Sequence, residues 1–469
     1  MVQRAYDGNG NLLSRVDANT VTTTYTYDSL NRPLTKTFTG GQTPTVTFSY
    51  DTPAAGATCP GGASTYDIGR LTSITTPSLS SPPLPSTTEY LNYDPLGRTC
   101  FSEEKVGTPA YTLGYQYNLA SALTTETYPS GRVVDTTFDG QNRPATITSG
   151  AANYASGISY ASSDSVSEIL FGGNTEAPVA TQTITFDHGS TTKREQPTGI
   201  TLTASQGSSC STNNGNVASA GIVTSGGLNL TQAFGYDKVN RLTSAAETGG
   251  GSEWSQTYTF DKWGNRAVSI SSYMPYPYAT PTALTQYTNN RWNGTGAGYD
   301  TAGNQTALSL RSFTYDGENR LLTSSQPSMG AITYAYDGEG QRVQKTVGGA
   351  TTVYVYDGAG QLAAEYSTAA PVVSGTQYVV ADTLGSTRLL LDSAGLVAER
   401  FDYLPFGEEI PAGVGNRAAP YSTLSYPSAT PDQVNAKFTG KDRDAETGLD
   451  WFNTRYFSGR HGNRRRRPS

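Results

Sequence analysis

Histidine is almost missing from this chain, with two in 469 residues, and cysteine and methionine are hardly commoner at three each. So few imidazoles and thiols leave little material for a relay that sets an oriented base beside a nucleophile. His188 lies in Phe-Asp-His-Gly-Ser and reads as part of a turn, and His461 falls in the terminal tail. Cys59, Cys100 and Cys210 form no Cys-x-x-Cys pair and are odd in number, so neither a disulfide framework nor a zinc site is indicated. No continuous apolar run reaches the length of a membrane span, and long amphipathic helical patterns are hard to find. Met1 opens no signal-peptide pattern. The chain starts inside a repeat, Met-Val-Gln-Arg-Ala-Tyr-Asp-Gly-Asn-Gly-Asn, and reads as a piece of something longer.

Glycine (51) and tyrosine (31), with abundant threonine and serine, stand where leucine, alanine and lysine usually dominate. Thr, Tyr and Val suit a pleated surface, and Gly, Asn and Asp suit turns. The expected class is therefore all-β. Length alone admits about two to four ordinary domains. The net charge of −7 is uneven: without Arg460 and Arg464 to Arg467, 27 basic residues face 39 acidic ones, a balance of −12. An acidic body argues against nucleic acid as the partner, and the short Arg-rich tail at 463–469 reads as a solvated end.

One short pattern recurs throughout: an aromatic residue, Asp, two variable residues, then Gly or Asn. Its copies include Tyr27-Asp28 with Asn31, Tyr93-Asp94 with Gly97, Tyr236-Asp237 with Asn240, and Tyr315-Asp316 with Asn319. Tyr336-Asp337 with Gly340 and Tyr356-Asp357 with Gly360 continue the series. Several intervals fall near 21 residues, the mark of a repeat architecture in which each unit buries a face against its neighbours. Between about 140 and 235 the pattern weakens into Gly/Ser/Thr-rich text, either a loop insertion or decayed repeats. The Pro-rich stretches at 77–88 and 274–281 read as surface loops.

The four residues from Asp to Gly or Asn match a type I turn, with the Asp carboxylate accepting from a backbone N–H two residues on. Gly or Asn at the fourth position can enter the left-handed region and close the hairpin with a bulge. Before the turn, Tyr25 and Tyr27, or Phe313 and Tyr315, share one face. Asp316→Ala is therefore expected to cost about 1 kcal/mol as a lost cap, and Tyr315→Ala about 3 kcal/mol as a lost ring. An isolated hairpin is marginal, so the units must add edge to edge. With neighbouring strands rotated by roughly 20–25°, the strip must coil into a solenoid or close into a shell, and periodicity does not choose between them.

These turns resemble the YD, or Rhs, repeats. The stretch "DTLGSTRLLLDSAGLVAERFDYLPFGEEI" (382–410), followed by "FTGKDRDAETGLDWFNTRYFSG" (438–459), resembles the Rhs-associated core domain. The residues carrying that likeness include Asp382, Gly385, Gly407, Gly440, Gly448, Arg455 and Tyr456. The resemblance implies a hollow β-shell, 1–380 as its repeat wall and 381–462 as the core that plugs one end. It also implies a protein that is secreted or displayed at the cell surface after synthesis in the cytoplasm. In toxin-bearing relatives an Asp-Pro-x-Gly self-cleavage motif and a variable toxin follow the core. Here "RYFSG" leads into "RHGNRRRRPS" instead, so that motif, its aspartates and the toxin are expected to be absent, and no cofactor is implied.

Other apparent motifs dissolve on inspection. Asp94-Pro95-Leu96-Gly97 imitates the cleavage motif but sits in an ordinary repeat, and Pro suits the second position of a type I turn. The 300–304 segment "DTAGN" lacks any phosphate-cradling loop elsewhere. In the calcium-loop-like 7–11 segment, Leu12 and Ala18 replace the required Gly and Glu. The acid-rich Lys441 to Glu446 reads as a charged, solvated turn rather than a carboxylate pair for proton transfer. Trp254, Trp263 and Trp292 read as sheet packing more readily than as a sugar-stacking platform. Three functions remain open: a structural shell segment that is not an enzyme, a cell-surface adhesin binding carbohydrate or protein, and a truncated or frameshifted fragment. The expected partners are an N-terminal shell portion and a toxin or other surface protein.

Overall fold

The computed structural model describes residues 3–40, 43–52, 59, 66–77, 85–186, 197–202, 217–223, 229–251, 253–272 and 280–327. It also describes 330–369, 375–418, 421, 434–453 and 455–459. His188, Cys210, His461, the 463–469 tail and most of both Pro-rich stretches lie outside these residues. Within each sheet the strands follow one another as a meander, each hydrogen-bonded to the next in sequence. Sixteen strands from Gln3–Tyr6 to Pro197–Leu202 form a first sheet, and five from Ser219–Val223 to Arg266–Ser272 form a second. Eight from Gly298–Tyr299 to Leu362–Ser367 form a third. Strands such as Ala152–Tyr160 and Val166–Phe171 carry the first sheet through the weak part of the pattern. Over its described residues that part forms sheet strands.

Each turn is built from short-range bonds. The Asp28 carboxylate accepts from the backbone N–H of Leu30 and Arg32 (both 2.9 Å) with one oxygen, and from Arg32 Nε (2.7 Å) with the other. Asp94, Asp237 and Asp316 repeat that arrangement with Arg98, Arg241 and Arg320. The fourth residues lie at positive φ, from 61° at Asn240 to 93° at Gly340, and the ladder slips by one residue just before Asp28, Asp237 and Asp316. Two further links were not visible in the motif. The motif tyrosine donates its hydroxyl to a carbonyl of an earlier strand, as Tyr27 does to Leu12 (2.9 Å) and Tyr336 to Leu321 (2.8 Å). The turn arginine lies over the aromatic ring of the next unit, Arg32 over Tyr50 at 4.4 Å and Arg98 over Tyr117 at 4.7 Å. Where both residues are present, a unit is thus tied to the one before and the one after.

The strip also meets itself. Asn19 donates to Asp300 (2.9 Å), Lys36 pairs with Glu318, Gly317 N–H donates to Thr43 (2.5 Å) and Gly358 N–H to Tyr115 (2.8 Å). These contacts join residues 243 to 282 positions apart, so turns of the third sheet seat on an edge of the first. The seated turns at 316, 337 and 357 carry Gly at their second position, and at Gly338 the reason is steric. A Cβ on Gly338 would lie 2.3 Å from Ile74 Cγ2 and 2.7 Å from Val46 Cγ1, whereas one on Gly8 would meet nothing. Gly338→Ala is expected to destabilise by roughly 1–3 kcal/mol through overpacking, and Gly8→Ala to have little effect; equal urea midpoints would contradict the seam.

Burial along the seam changes the turn energetics. Asp316 and Arg320 side chains are 2% and 8% exposed, while Arg241 in the Asp237 turn is 44% exposed. Asp316→Ala removes a cap and strips a buried guanidinium of its closest carboxylate, a loss of about 3 kcal/mol rather than the 1 expected from the cap. Asp237→Ala should cost clearly less. Tyr315 is only half-buried, so the expected ranking of Asp316 and Tyr315 reverses; urea melts of the three variants read this order directly.

The C-terminal region holds three small sheets. Tyr378–Ala381, Thr387–Leu391 and Val397–Arg400 form one, Asp402–Tyr403 with Glu409–Ile410 the second, and Asp442–Asp444, Leu449–Trp451 and Tyr456–Phe457 the third. Among the described residues helix is limited to two short 3₁₀ turns. One expectation fails: Cys59 and Cys100 form a disulfide, with Cα atoms 5.4 Å apart. It staples a loop to a strand 41 residues away, a pairing that counting three scattered cysteines does not reveal.

Candidate functional site

The C-terminal region packs onto all three large sheets. Tyr378, Val380 and Leu391 cluster with Phe171 of the first; Leu404, Ile410 and Val414 cluster with Trp254, Tyr258 and Val268 of the second. Trp451 and Tyr456 enter the Phe313, Ile332, Tyr334 and Tyr336 cluster of the third. Apolar burial supplies the adhesion, but buried charge specifies the seats.

The seat on the second sheet centres on Arg417. Its guanidinium gives Nη1 and Nη2 to the two oxygens of Glu247 (2.8 and 2.7 Å) and Nε to Asp402 (2.7 Å), with Arg417 and Glu247 side chains fully buried. Tyr421 donates its hydroxyl to the same Asp402 oxygen (2.9 Å), and Arg388 reaches the other at 3.0 Å. Burial works to raise the Asp402 carboxyl, but Arg388 and Arg417 outweigh it and hold it below the ordinary carboxylate value. A two-oxygen fork of this kind fixes orientation as well as distance.

The seat on the third sheet centres on Arg342. Its Nη1 lies 2.9 Å from both Asp444 oxygens and donates to Tyr456 Oη at 2.7 Å. The Tyr354 and Trp451 rings stand 4.6 and 5.4 Å from the guanidinium carbon. Lys345 spans Asp444 (3.0 Å) and Glu446 (3.2 Å). Burial opposes ionisation of Asp444, yet Arg342 and Lys345 hold its carboxyl low, while Glu446, buried beside Asp444, is pushed up. The expected solvated turn at Lys441 to Glu446 is therefore corrected: Arg443, Asp444 and Glu446 are buried, Asp444 and Glu446 because the repeat sheet supplies Arg342 and Lys345 as counter-charges, and Arg443 because Asp450 of the same region does. Arg443 itself binds Asp450 through Nε (2.7 Å) and the Gly407 carbonyl through Nη2 (2.7 Å).

Residues singled out from the core-like stretch take structural places. Asp382 caps the turn ending at Gly385, accepting from Leu384 and Ser386 N–H. Gly407 sits at φ +93°, where a Cβ would press Phe438 at 2.6 Å. Gly440 and Gly448 also hold positive φ, and Gly448 N–H donates to the Asp444 carbonyl (2.7 Å). The Arg455 carbonyl accepts from Phe452 (2.7 Å), and Tyr456 completes the Arg342 seat. Of the repeat-turn residues, Tyr336 and Tyr315 belong to the cluster that Trp451 and Tyr456 enter, and the Tyr356 hydroxyl donates to the Arg342 carbonyl (3.0 Å). Sequence reading missed Arg342, Lys345, Glu247, Asp402 and Arg417. One signal was present: at Gln341 the usual turn arginine is replaced, and an arginine follows one position later.

The apparent motifs are ordinary turns, closed by Gly97 N–H to the Asp94 carbonyl (2.8 Å), Gly303 to Asp300 (3.1 Å) and Gly10 to Asp7 (3.2 Å). Trp254 and Trp292 are buried, while Trp263 is 65% exposed.

Comparison with known proteins gives the same picture. Residues 6–43 match the family model for the RHS Repeat. The tRNA3(Ser)-specific nuclease WapA of Bacillus spizizenii is 28% identical over 240 residues, covering 48% of this chain and 10% of that protein. The tRNA nuclease WapA of Bacillus subtilis is 27% identical over 240 residues, again 48% of this chain and 10% of that protein. The crystal structure of TcdB2-TccC3-TEV superposes with a TM-score of 0.68 at 14% identity, over 98% of this chain and 26% of that one. The Tc holotoxin pore of Photorhabdus luminescens gives 0.59 at 14% identity, over 98% and 26%. The chain thus spans about a tenth of those curated relatives and about a quarter of those solved chains, and the structural likeness shows the fold.

Proposed function

From a chain that carries the RHS repeat and has the fold of the Tc-toxin Rhs shells, we propose a structural role: a wall segment of an encapsulating shell. Residues 1–380 form the wall and 381–462 the plug, with a further shell portion and an enclosed toxin or other polypeptide as partners. The chain itself works without catalysis. The observation that carries this reading is the pair of buried ionic seats, which lock the C-terminal region to two different sheets of one strip. Such a region closes the wall instead of hanging from it. The Cys59–Cys100 disulfide supports a working place outside the reducing cytosol, secreted or at the cell surface. Among the described residues no helix is long and apolar enough to cross a membrane.

A reporter peptide appended behind Ser469 tests the role. Protection of the reporter from protease, with no ribonuclease or peptidase activity in the purified chain, is the expected result. Cleavage as fast as that of the free peptide, or hydrolytic activity abolished by a point substitution, would overturn it.

A further inference from the structure

The seam between the first and third sheets borders a partly open cavity of about 240 Å³ whose charged lining is all of one sign. Glu104 enters it from the first sheet, and Asp337, Glu339 and Asp357 enter from the seated turns of the third; Glu103, next along the strand, turns its side chain to the other face. The cations nearby are committed elsewhere. Lys105 pairs with Glu89 and Glu103, and Arg320 with Asp316 and Glu318, meeting Asp337 only at its carbonyl (3.4 Å). Arg342 is held by Asp444. What faces the carboxyls instead is neutral. Thr88 and Ser86 hydroxyls donate to Glu104 (2.8 and 3.4 Å), Tyr90 donates to Glu339 (3.1 Å), and backbone N–H groups donate to Asp337 and Asp357.

We infer that this seam is a proton-operated latch: protonated carboxyls let the two edges of the strip close, and ionised ones force like charges together across it. The inference needs only the contact between the sheets and stands whether or not the shell encloses a guest. Burial, then Asp337, pushes Glu104 well above its ordinary value; burial, then Glu339, pushes Asp337 up to about 7. Glu339 is raised as well, chiefly by burial. Groups that bind protons more tightly in the closed seam favour closure fully below their open-state values, 3.8 for Asp and 4.5 for Glu. That advantage is lost as pH rises through the closed-state value, so the seam loosens toward and above neutral pH.

Amide hydrogen exchange of the intact chain, corrected for intrinsic rates, reads the latch at the 337–341 turn between pH 5 and 8. Protection there is expected to fall by up to about tenfold per pH unit for each proton released, while Glu104→Gln/Asp337→Asn flattens the dependence. The 316–319 turn, where Arg320 faces Asp316 and Lys36 pairs with Glu318, serves as a comparison with a smaller loss. If the double variant fails to fold, Glu339→Gln is expected to reduce the slope alone. Constant wild-type protection across this range, or a variant slope equal to wild type, would overturn the inference.

Discussion

Arg417→Met is expected to destabilise the chain by roughly 3–5 kcal/mol, the range for breaking a buried pair from one side. Glu247 and Arg417 side chains are both 0% exposed, and Asp402 is nearly so. Removing the guanidinium leaves Glu247 buried with Gln232 as its remaining side-chain donor, at 2.9 Å, and Asp402 with Arg388 and Tyr421. Adding Glu247→Gln should recover much of the loss, because the charge that lost its partner is gone as well. Urea denaturation of the single and double variants separates the cases. A single-variant loss below about 1 kcal/mol, or no recovery in the double, would mean that the apolar cluster around Val414 seats the region without the ion pair.

Arg342→Leu should have a comparable effect on the other seat, roughly 3–5 kcal/mol. Asp444 would keep Lys345, but Tyr456 would lose the donor to its hydroxyl and the Tyr354–Trp451 enclosure would hold an alkyl group beside a carboxylate. Arg342→Lys should recover little, since a point charge cannot reach both carboxylate and hydroxyl with one planar fork. One carboxylate in each seat sets a pH dependence opposite to that of the seam. Asp444 and Asp402 are held below the ordinary value of 3.8. Their stabilisation is present above that value and lost as pH falls through the lower folded one. Wild-type stability below about pH 4 should therefore decline with falling pH more steeply than that of Arg342→Leu; parallel curves would remove Asp444 from the account.

The turn chemistry was readable because it is local. Asp28 reaches N–H groups two and four residues on, and Asn31 or Gly97 needs only its own φ. Strand alternation before the turn is equally short-ranged, so the all-β meander and the C-terminal stretch stood out. The energetics of an individual copy were not readable. The Asp237 and Asp316 turns look alike on paper, yet one is solvated and the other lies under a second layer of strip. Gly338 looked like an ordinary turn residue until Ile74 and Val46 were found against it.

Sequence alone determined the hairpin, its period and the edge-to-edge strip, since each rests on contacts within a few residues and on the alternation of side chains. Tertiary structure alone decided which edges meet, which charges are buried and where the strip is closed. Glu247 finds Arg417 across 170 residues, Arg342 finds Asp444 across 102, and Tyr115 finds Gly358 across 243. No local pattern encodes those distances. They follow from the twist that each strand adds to the next, summed over the whole strip until its edge returns to itself.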